Sequence, residues 1–393
     1  KGQAPRCKQV NVSLSATADG GVPLWYDAMD GNTADNGCYL NPLSAFQQEL
    51  GISAPLCIGD SKLVSNSNMI AFCRAGAFFI GPATLDDNEK KRLLRLWESG
   101  TPFSALPFKA EADQPIPYWG LETERDIKDK KTKETYSIRQ VYIFSRQRRA
   151  VIRHTRAKSF CSSKTALHKI IRCLNKYDYQ TERIIHARLQ DQVLRKCPYY
   201  RIQVNRDAAG AFSLSYSIDW QKLAFDEQFD GIYVLRTNSP QAEVSMGAVL
   251  ESDKGQPHVE HCFQTVKQPP IQVSPVWLHK PERIESLLFL VFVALLVMML
   301  LQREGRKKVW PKGIPLRPEG RDHLPLTAQV LLAAFDTVAI ATITVSSDGR
   351  LLTDQRCTQL SASQRAVLHV LAFPTPSHYL KPSVHPSATN GTR

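Results

Sequence analysis

The sequence lacks the cysteine spacings that define a disulfide scaffold or a structural zinc site. Its nine cysteines are scattered over 393 residues and include no C-x-x-C pair. An odd, unclustered set excludes both kinds of scaffold and is typical of a reducing compartment. No secretory signal precedes the first predicted strand. We therefore expect a cytoplasmic protein, in which the sequon beginning at Asn390 is a chance match.

The sequence also lacks an apolar run as long as most membrane spans. Its longest run, 287–301, reads LLFLVFVALLVMMLL, whereas a span needs about 18 residues or more. This length favours a helix that is buried on all sides in a large core, and we expect no membrane partner. A span that has Arg306, Lys307 and Lys308 as its basic flank is the alternative.

Positive charge, in contrast, is abundant. The chain carries a net charge of +13 and is 43% hydrophobic, so it can form a sizeable core. A surplus of this kind favours a polyanionic partner, either nucleic acid or an anionic membrane surface. The alternative is that moderately basic proteins are common and the surplus has no specific meaning.

The first part of the chain predicts an α/β sheet of mixed strand directions. Residues 9–18 alternate between apolar and polar side chains, which predicts a strand, and 22–29 predict the returning strand of a hairpin. Further along we predict helices at 43–49 and 65–75, the second capped by Ser65 or Asn66, and short strands at 54–59 and 78–80.

Asp60 directly follows the strand predicted at 54–59. In open sheets, binding sites form where the ends of strands meet loops. Asp60 is therefore a candidate acidic residue of a functional site. The alternative is an aspartate that only stabilises a turn or caps a helix.

Residues 83–229 are expected to form a long inserted α/β domain. The stretch 86–100 predicts an amphipathic helix, and the highly charged stretch 119–139 predicts a mobile hairpin or loop. Residues 141–156 interleave aromatic and basic side chains, a pattern that suits the DNA backbone because arginines neutralise phosphates. The candidate contacts are Arg146, Arg148, Arg149 and Arg153. The alternative is an amphipathic strand that leads into a solvated helix end.

A second acidic candidate lies in 249–267, which predicts two short helices separated by Gly-Gln-Pro, with Pro257 at the first position of the second helix. Val259, Phe263 and Val266 recur at helical spacing and predict an apolar stripe. Glu260 lies one step from this stripe, and Lys267 lies on the same side as Glu260. The alternative is that Glu260 and Lys267 are ordinary solvated helix residues.

The predicted organisation has five parts. Residues 1–82 and 230–304 form the core, the second part carrying Glu260 and the apolar helix, and 83–229 form the inserted domain. Residues 305–373 form a small C-terminal module that begins with a linker, then a helix passing into a strand, and ends with a helix capped by Ser361. Residues 374–393 are rich in Pro, Ser and Thr and are expected to be disordered.

Four stretches in this order resemble insertion-sequence DDE transposases of the ribonuclease H-like superfamily. They are GGVPLWYDAMDGNTADN, LCIGDSKLVSNSNM, FDGIYVLRTN and VEHCFQTVK, the last followed by a long apolar helix. The resemblance covers about residues 9–301. It implies a ribonuclease H-like mixed sheet with helices on both faces, interrupted by a long insertion.

The resemblance also implies a chemistry, which is Mg²⁺-dependent strand cleavage and strand transfer at transposon ends, with a two-metal site held by carboxylates. Asp60 and Glu260 would be two of the metal ligands, and Lys267 would contact DNA near the cleaved end. The family pattern near the final Glu places Tyr and Arg where this chain has Asp253 and Gln256. Gln256 can hydrogen-bond a phosphate but carries no charge. The partners implied are duplex DNA, both ends and target, and a second copy in a homodimer.

The first acidic residue of the family lies on a strand that precedes 9–18, and the sequence as given starts too late to contain it. We therefore expect an N-terminally truncated transposase with weak or no catalysis. A non-catalytic DNA-binding protein derived from a transposase is the alternative. A membrane-anchored protein that uses 287–301 is a third hypothesis.

Overall fold

The computed structural model shows a mixed α/β protein. The structure describes residues 10–33, 38–109, 115–255, 257–267, 271, 278, 280–317, 319–347 and 350–380. The chain divides into two compact units, one formed by 39–254 and the other by 1–38 together with 255–393.

The strands and helices named below are numbered in chain order. The strands are β1 Val10–Ala16, β2 Pro23–Asp30, β3 Leu56–Ile58, β4 Phe78–Ala83, β5 Ser104–Lys109, β6 Pro115–Lys128, β7 Thr135–Ser145, β8 Tyr200–Arg206, β9 Phe212–Ile218, β10 Ile232–Thr237, β11 Ile340–Ser347 and β12 Arg350–Cys357. The α-helices are α1 Leu40–Gln48, α2 Asn66–Arg74, α3 Asp87–Glu98, α4 Arg146–Cys173, α5 Glu182–Leu189, α6 Trp220–Glu227, α7 Met246–Lys254, α8 Pro257–Lys267, α9 Pro281–Glu304, α10 Ala328–Ala333 and α11 Ala362–Val370.

A six-stranded sheet organises the unit 39–254. Its strand order is β3-β4-β10-β7-β6-β5, in which β3 and β4 are parallel and the remaining neighbours are antiparallel. Helix α2 connects the parallel pair, and the predicted Ser65 cap is confirmed because its side chain accepts a hydrogen bond from the Asn68 N–H. The α/β class with mixed strand directions, predicted from the sequence, is therefore confirmed.

The charged stretch 119–139, predicted to be a mobile hairpin or loop, forms most of a hairpin of two long paired strands. β6 and β7 pair without interruption from Tyr118↔Ser145 to Lys128↔Thr135. Ile127 and Ile138, both buried, anchor this hairpin in the core despite its many charges. β6 and β7 lie in the same sheet as β3, β4 and β10. This sheet therefore continues into residues 83–229, which were predicted to form an inserted domain.

A second core lies beside the sheet in the same unit. The long helix α4 packs on α5, on a turn of π-helix at Gln190–Leu194 and on the hairpin β8–β9. The buried side chains of this second core include Leu167, Ile185 and Val193. These residues anchor the C-terminal half of α4 in the core. The exposed N-terminal half is held in position because it continues the same helix.

The other unit contains the β1–β2 hairpin, which pairs from Val10↔Asp30 to Ser15↔Trp25 as the alternation predicted. The hairpin forms a two-stranded sheet of its own, so the prediction that it shares a sheet with β3 and β4 is wrong. Its Val22 packs with Cys262 of α8, Leu295 of α9 and Ala328 of α10. Ser361 begins α11 with a capping box, as predicted. Of the tail 374–393, residues 376–379 form one short 3-10 turn and 381–393 lie outside the described residues.

Helix α9 was predicted to be buried on all sides, and this prediction is wrong. Leu295 and Met299 are almost fully buried, but Leu290 is 64% exposed and Val297 is 58% exposed. The reason is that β2, α8 and α10 cover only one side of the helix. In the described part of the chain, the helical stretch 281–312 is the one that is long and apolar enough to cross a membrane.

Candidate nucleic-acid interface and acidic residues

Asp60 lies close to the C-terminal end of β3, separated from the strand by Gly59, and its side chain is exposed. Its Oδ1 accepts a hydrogen bond of 2.6 Å from the Tyr39 hydroxyl and one of 2.8 Å from the Lys62 N–H. The second bond is the local one by which an aspartate stabilises a turn. The first fixes the orientation of the carboxylate at the C-terminal end of a parallel strand. The surroundings of Asp60 are therefore compatible with both predictions from the sequence, an acidic residue of a functional site and an aspartate that stabilises a turn.

Glu260 lies in the first turn of α8 and is exposed, and Lys267 ends the same helix. The side chain that anchors α8 is the fully buried Cys262, whose thiol donates to the Gly21 carbonyl at 3.1 Å. The predicted stripe of Val259, Phe263 and Val266 is only partly buried. An acid in the first turn and a base in the last suit the helix dipole, which is the ordinary explanation of both charges. Gln256 lies outside the described residues.

The two acidic candidates belong to different units. Asp60 is part of 39–254, and Glu260 is part of the unit that includes 255–393. Both offer oxygen ligands of the type that Mg²⁺ prefers. Among the residues that the structure describes, however, no group of three or more His, Cys, Asp and Glu side chains could hold a metal ion.

The four predicted arginines are brought together on the exposed N-terminal half of α4. Ser145 caps this helix by accepting a hydrogen bond from the Arg148 N–H, and the first turn contains no acidic residue. The Arg146 guanidinium lies 4.9 Å from the centre of the Trp119 ring, and that of Arg148 lies 5.1 Å from the centre of the Tyr233 ring. Cation–π contacts restrict both arginines while leaving their charge accessible.

Arg153 differs from the other three because it lies near a carboxylate. Its Nε is 3.6 Å from Asp230 Oδ2, although its side chain is 53% exposed. Asp230 is buried and accepts two hydrogen bonds from Arg156. Within the described residues, Arg146, Arg148 and Arg149 have no carboxylate within 4.0 Å. These three arginines, which we call the α4 arginine cluster, are therefore the most available to an anion.

Sequence reasoning missed three residues beside the α4 arginine cluster. Trp119 on β6 and Tyr233 on β10 hold the guanidinium groups, and Lys254 at the end of α7 lies over the Tyr233 ring as well. No local pattern identifies them, because they meet only through the pairing of β6, β7 and β10.

Comparison of the chain with protein-family models finds no match, and a search of curated proteins finds no significant similarity.

Proposed function

We propose that the chain is a DNA transposase fragment that acts on chromosomal DNA in the cytoplasm and binds duplex DNA through the α4 arginine cluster. The observation that carries the proposal is the exposure of Arg146, Arg148 and Arg149 in one helical turn without a carboxylate partner. Arginine is suited to this role because its planar guanidinium forms bidentate hydrogen bonds with phosphate.

The position of the cluster supports binding of an anion rather than a purely structural role. Cations in the first turn of a helix oppose the helix dipole, which favours negative charge at that end. Three arginines there reduce the stability of α4 when no anion is present. A DNA phosphate offsets this cost, since it interacts favourably with both the arginines and the dipole.

The expected loss of affinity can be measured by replacing Arg146, Arg148 and Arg149 together with glutamine. We expect weaker binding to duplex DNA and a smaller salt dependence, because each phosphate contact contributes about 0.9 to the slope of log K against log salt. Fluorescence anisotropy at several salt concentrations measures both quantities. A slope that is unchanged by the three substitutions would remove the cluster from the interface.

The matched control replaces Lys128, Lys130 and Lys131, three exposed lysines at the β6–β7 turn, with glutamine. This variant loses the same charge. Strand β7 has 11 residues and separates this turn from Ser145 by roughly 33 Å, at about 3.3 Å per residue. We expect the control to retain most of the affinity of the unmodified protein.

The proposed cleavage of DNA depends on two acidic residues. Asp60 and Glu260 are the proposed carboxylate ligands of Mg²⁺, and Lys267 is the proposed DNA contact near the cleaved end. We propose impaired cleavage, because the family pattern has three acidic ligands and only Asp60 and Glu260 of this sequence match it. Mg²⁺, when bound, would activate water and stabilise the leaving oxygen. A homodimer on paired DNA ends is also part of this proposal.

Nicking of a transposon-end duplex in the presence of Mg²⁺ tests the assignment of Asp60. We expect slow nicking at most, and we expect Asp60→Ala to reduce any residual rate by about 100-fold or more while DNA binding persists. Asp87→Ala, at a carboxylate that is 85% exposed on α3, is the control and should retain the residual rate. Robust turnover in the Asp60→Ala variant would refute the active-site assignment.

A non-catalytic DNA-binding protein is the second candidate function, favoured by the exposed α4 arginine cluster, which needs no metal ion to bind phosphate. It predicts DNA binding that weakens steeply with salt, does not require Mg²⁺ and persists under chelation. Slow nicking that requires both Mg²⁺ and Asp60 would favour the transposase fragment, whereas DNA binding without any nicking would favour the non-catalytic protein.

A further inference from the structure

Lys254, the last residue of α7, lies beside the α4 arginine cluster although it is 106 positions from Arg148. Its Nζ is 5.1 Å from the centre of the Tyr233 ring and 5.6 Å from that of Tyr118. The guanidinium of Arg148 is also 5.1 Å from the Tyr233 ring. One aromatic ring thus holds two cations from two different helices. The two charges are separated by no more than about one Debye length at ~0.1 M salt, so a polyanion experiences them together.

A carboxylate on α7 itself, that of Asp253, lies beside Lys254. The Asp253 side chain is only 13% exposed, and its Oδ2 is 3.8 Å from the Lys254 Nζ. Burial raises the pKa of Asp253, while Lys254 and Arg148 act in the opposite direction. The hydroxyl of Tyr233 is also buried and has no hydrogen-bond partner in the part of the chain that the structure describes.

We propose that Lys254 contacts the sugar-phosphate backbone of duplex DNA, extending the α4 arginine cluster onto α7, and that Asp253 competes with the DNA for Arg148 and Lys254. The inference rests on the proposed DNA-binding function. It adds one positively charged residue, Lys254, and one negatively charged residue, Asp253, to the proposed interface.

Two features of the geometry carry this inference. The aromatic rings restrict Lys254 and Arg148 before any ligand arrives, which lowers the entropy that binding would otherwise cost. The nearest negative charge is a poorly hydrated carboxylate, and such a group is costly to keep ionised in its buried position. Asp253 neutralises part of the positive charge of Lys254 and repels an approaching phosphate, so its carboxylate and the DNA compete for the same cations.

The experiment measures the affinity for duplex DNA of Lys254→Gln and Asp253→Asn over a range of salt concentrations. Lys254→Gln is expected to weaken binding and to lower the salt slope by about one. Asp253→Asn is expected to strengthen binding, because Arg148 and Lys254 no longer interact with an internal carboxylate. If Lys254→Gln does not fold, Lys254→Met is measured in its place, because methionine keeps an apolar side chain over both rings.

The matched controls are Lys130→Gln, at the distant β6–β7 turn, and Glu251→Gln, at an exposed position on α7 itself. They change the net charge by the same amounts and should have small effects. If Lys254→Gln behaves like Lys130→Gln while the unmodified protein binds DNA, this inference is overturned and the proposed function stands. If Asp253→Asn binds no more tightly than Glu251→Gln, Asp253 is not a competitor. Absence of salt-dependent DNA binding in the unmodified protein would overturn the proposed function itself.

Discussion

Replacing Glu89 with alanine is expected to lower the free energy of unfolding by about 3–5 kcal/mol, because it leaves a buried arginine without its charge partner. Glu89 lies on α3 and is only 3% exposed. Its Oε1 accepts a hydrogen bond of 2.9 Å from Arg236 and another from Arg125. Burial and the charge of Arg125 lower the pKa of Arg236, whereas Glu89 acts in the opposite direction.

The other oxygen of Glu89 is also engaged, since it accepts hydrogen bonds from Gln140 and from the Tyr142 hydroxyl. Urea denaturation measures the expected loss of stability. Glu98→Ala, at an exposed position on the same helix, is the control and should change stability by no more than about 0.5 kcal/mol. Equal stability of the two variants would mean that the buried network contributes nothing net to folding.

Gly231→Ala is expected to produce the second large loss, about 2–5 kcal/mol, from backbone strain and steric overlap combined. Gly231 precedes β10 with a φ of +87°, a conformation that disfavours any residue with a Cβ. A Cβ at this position would lie 2.6 Å from the Ser145 carbonyl oxygen and 2.8 Å from the Arg149 Cβ. The substitution therefore displaces the start of α4, and we expect it to weaken DNA binding as well.

Gly100→Ala separates the two causes. Gly100 also has a positive φ, +78°, but a Cβ there would have no neighbour within 4 Å. This control should lose only the strain, about 1–3 kcal/mol. Thermal or urea unfolding measures the loss of stability in both variants. If Gly231→Ala costs no more than Gly100→Ala, the close approach of β10 to α4 does not constrain the fold.

The features predicted from the sequence are those that depend on neighbouring residues. The Ser65 and Ser361 caps require only a hydroxyl and a backbone N–H three positions further on. The β1–β2 hairpin requires only two alternating strands and a turn, and its register follows. The arginines of α4 were found for the same reason, because they lie within one short basic stretch.

The features that were missed depend on contacts between distant parts of the chain. The salt bridge between Glu89 and Arg236 joins residues 147 positions apart, and neither residue type suggests burial. The pairing of Lys254 with Tyr233 depends likewise on where β10 lies in the sheet. The error on α9 has another origin. Hydropathy measures what a side chain prefers, whereas burial depends on which elements are available to cover it.

The exposed side of α9 has a consequence for handling the protein in solution. Phe289, Leu290, Val293, Val297 and Leu300 contribute a row of apolar side chains to the surface. A contiguous patch of this kind promotes self-association, because each contact that covers it removes apolar area from water. We therefore expect the protein to associate with itself through α9 as its concentration rises, in spite of its net charge of +13.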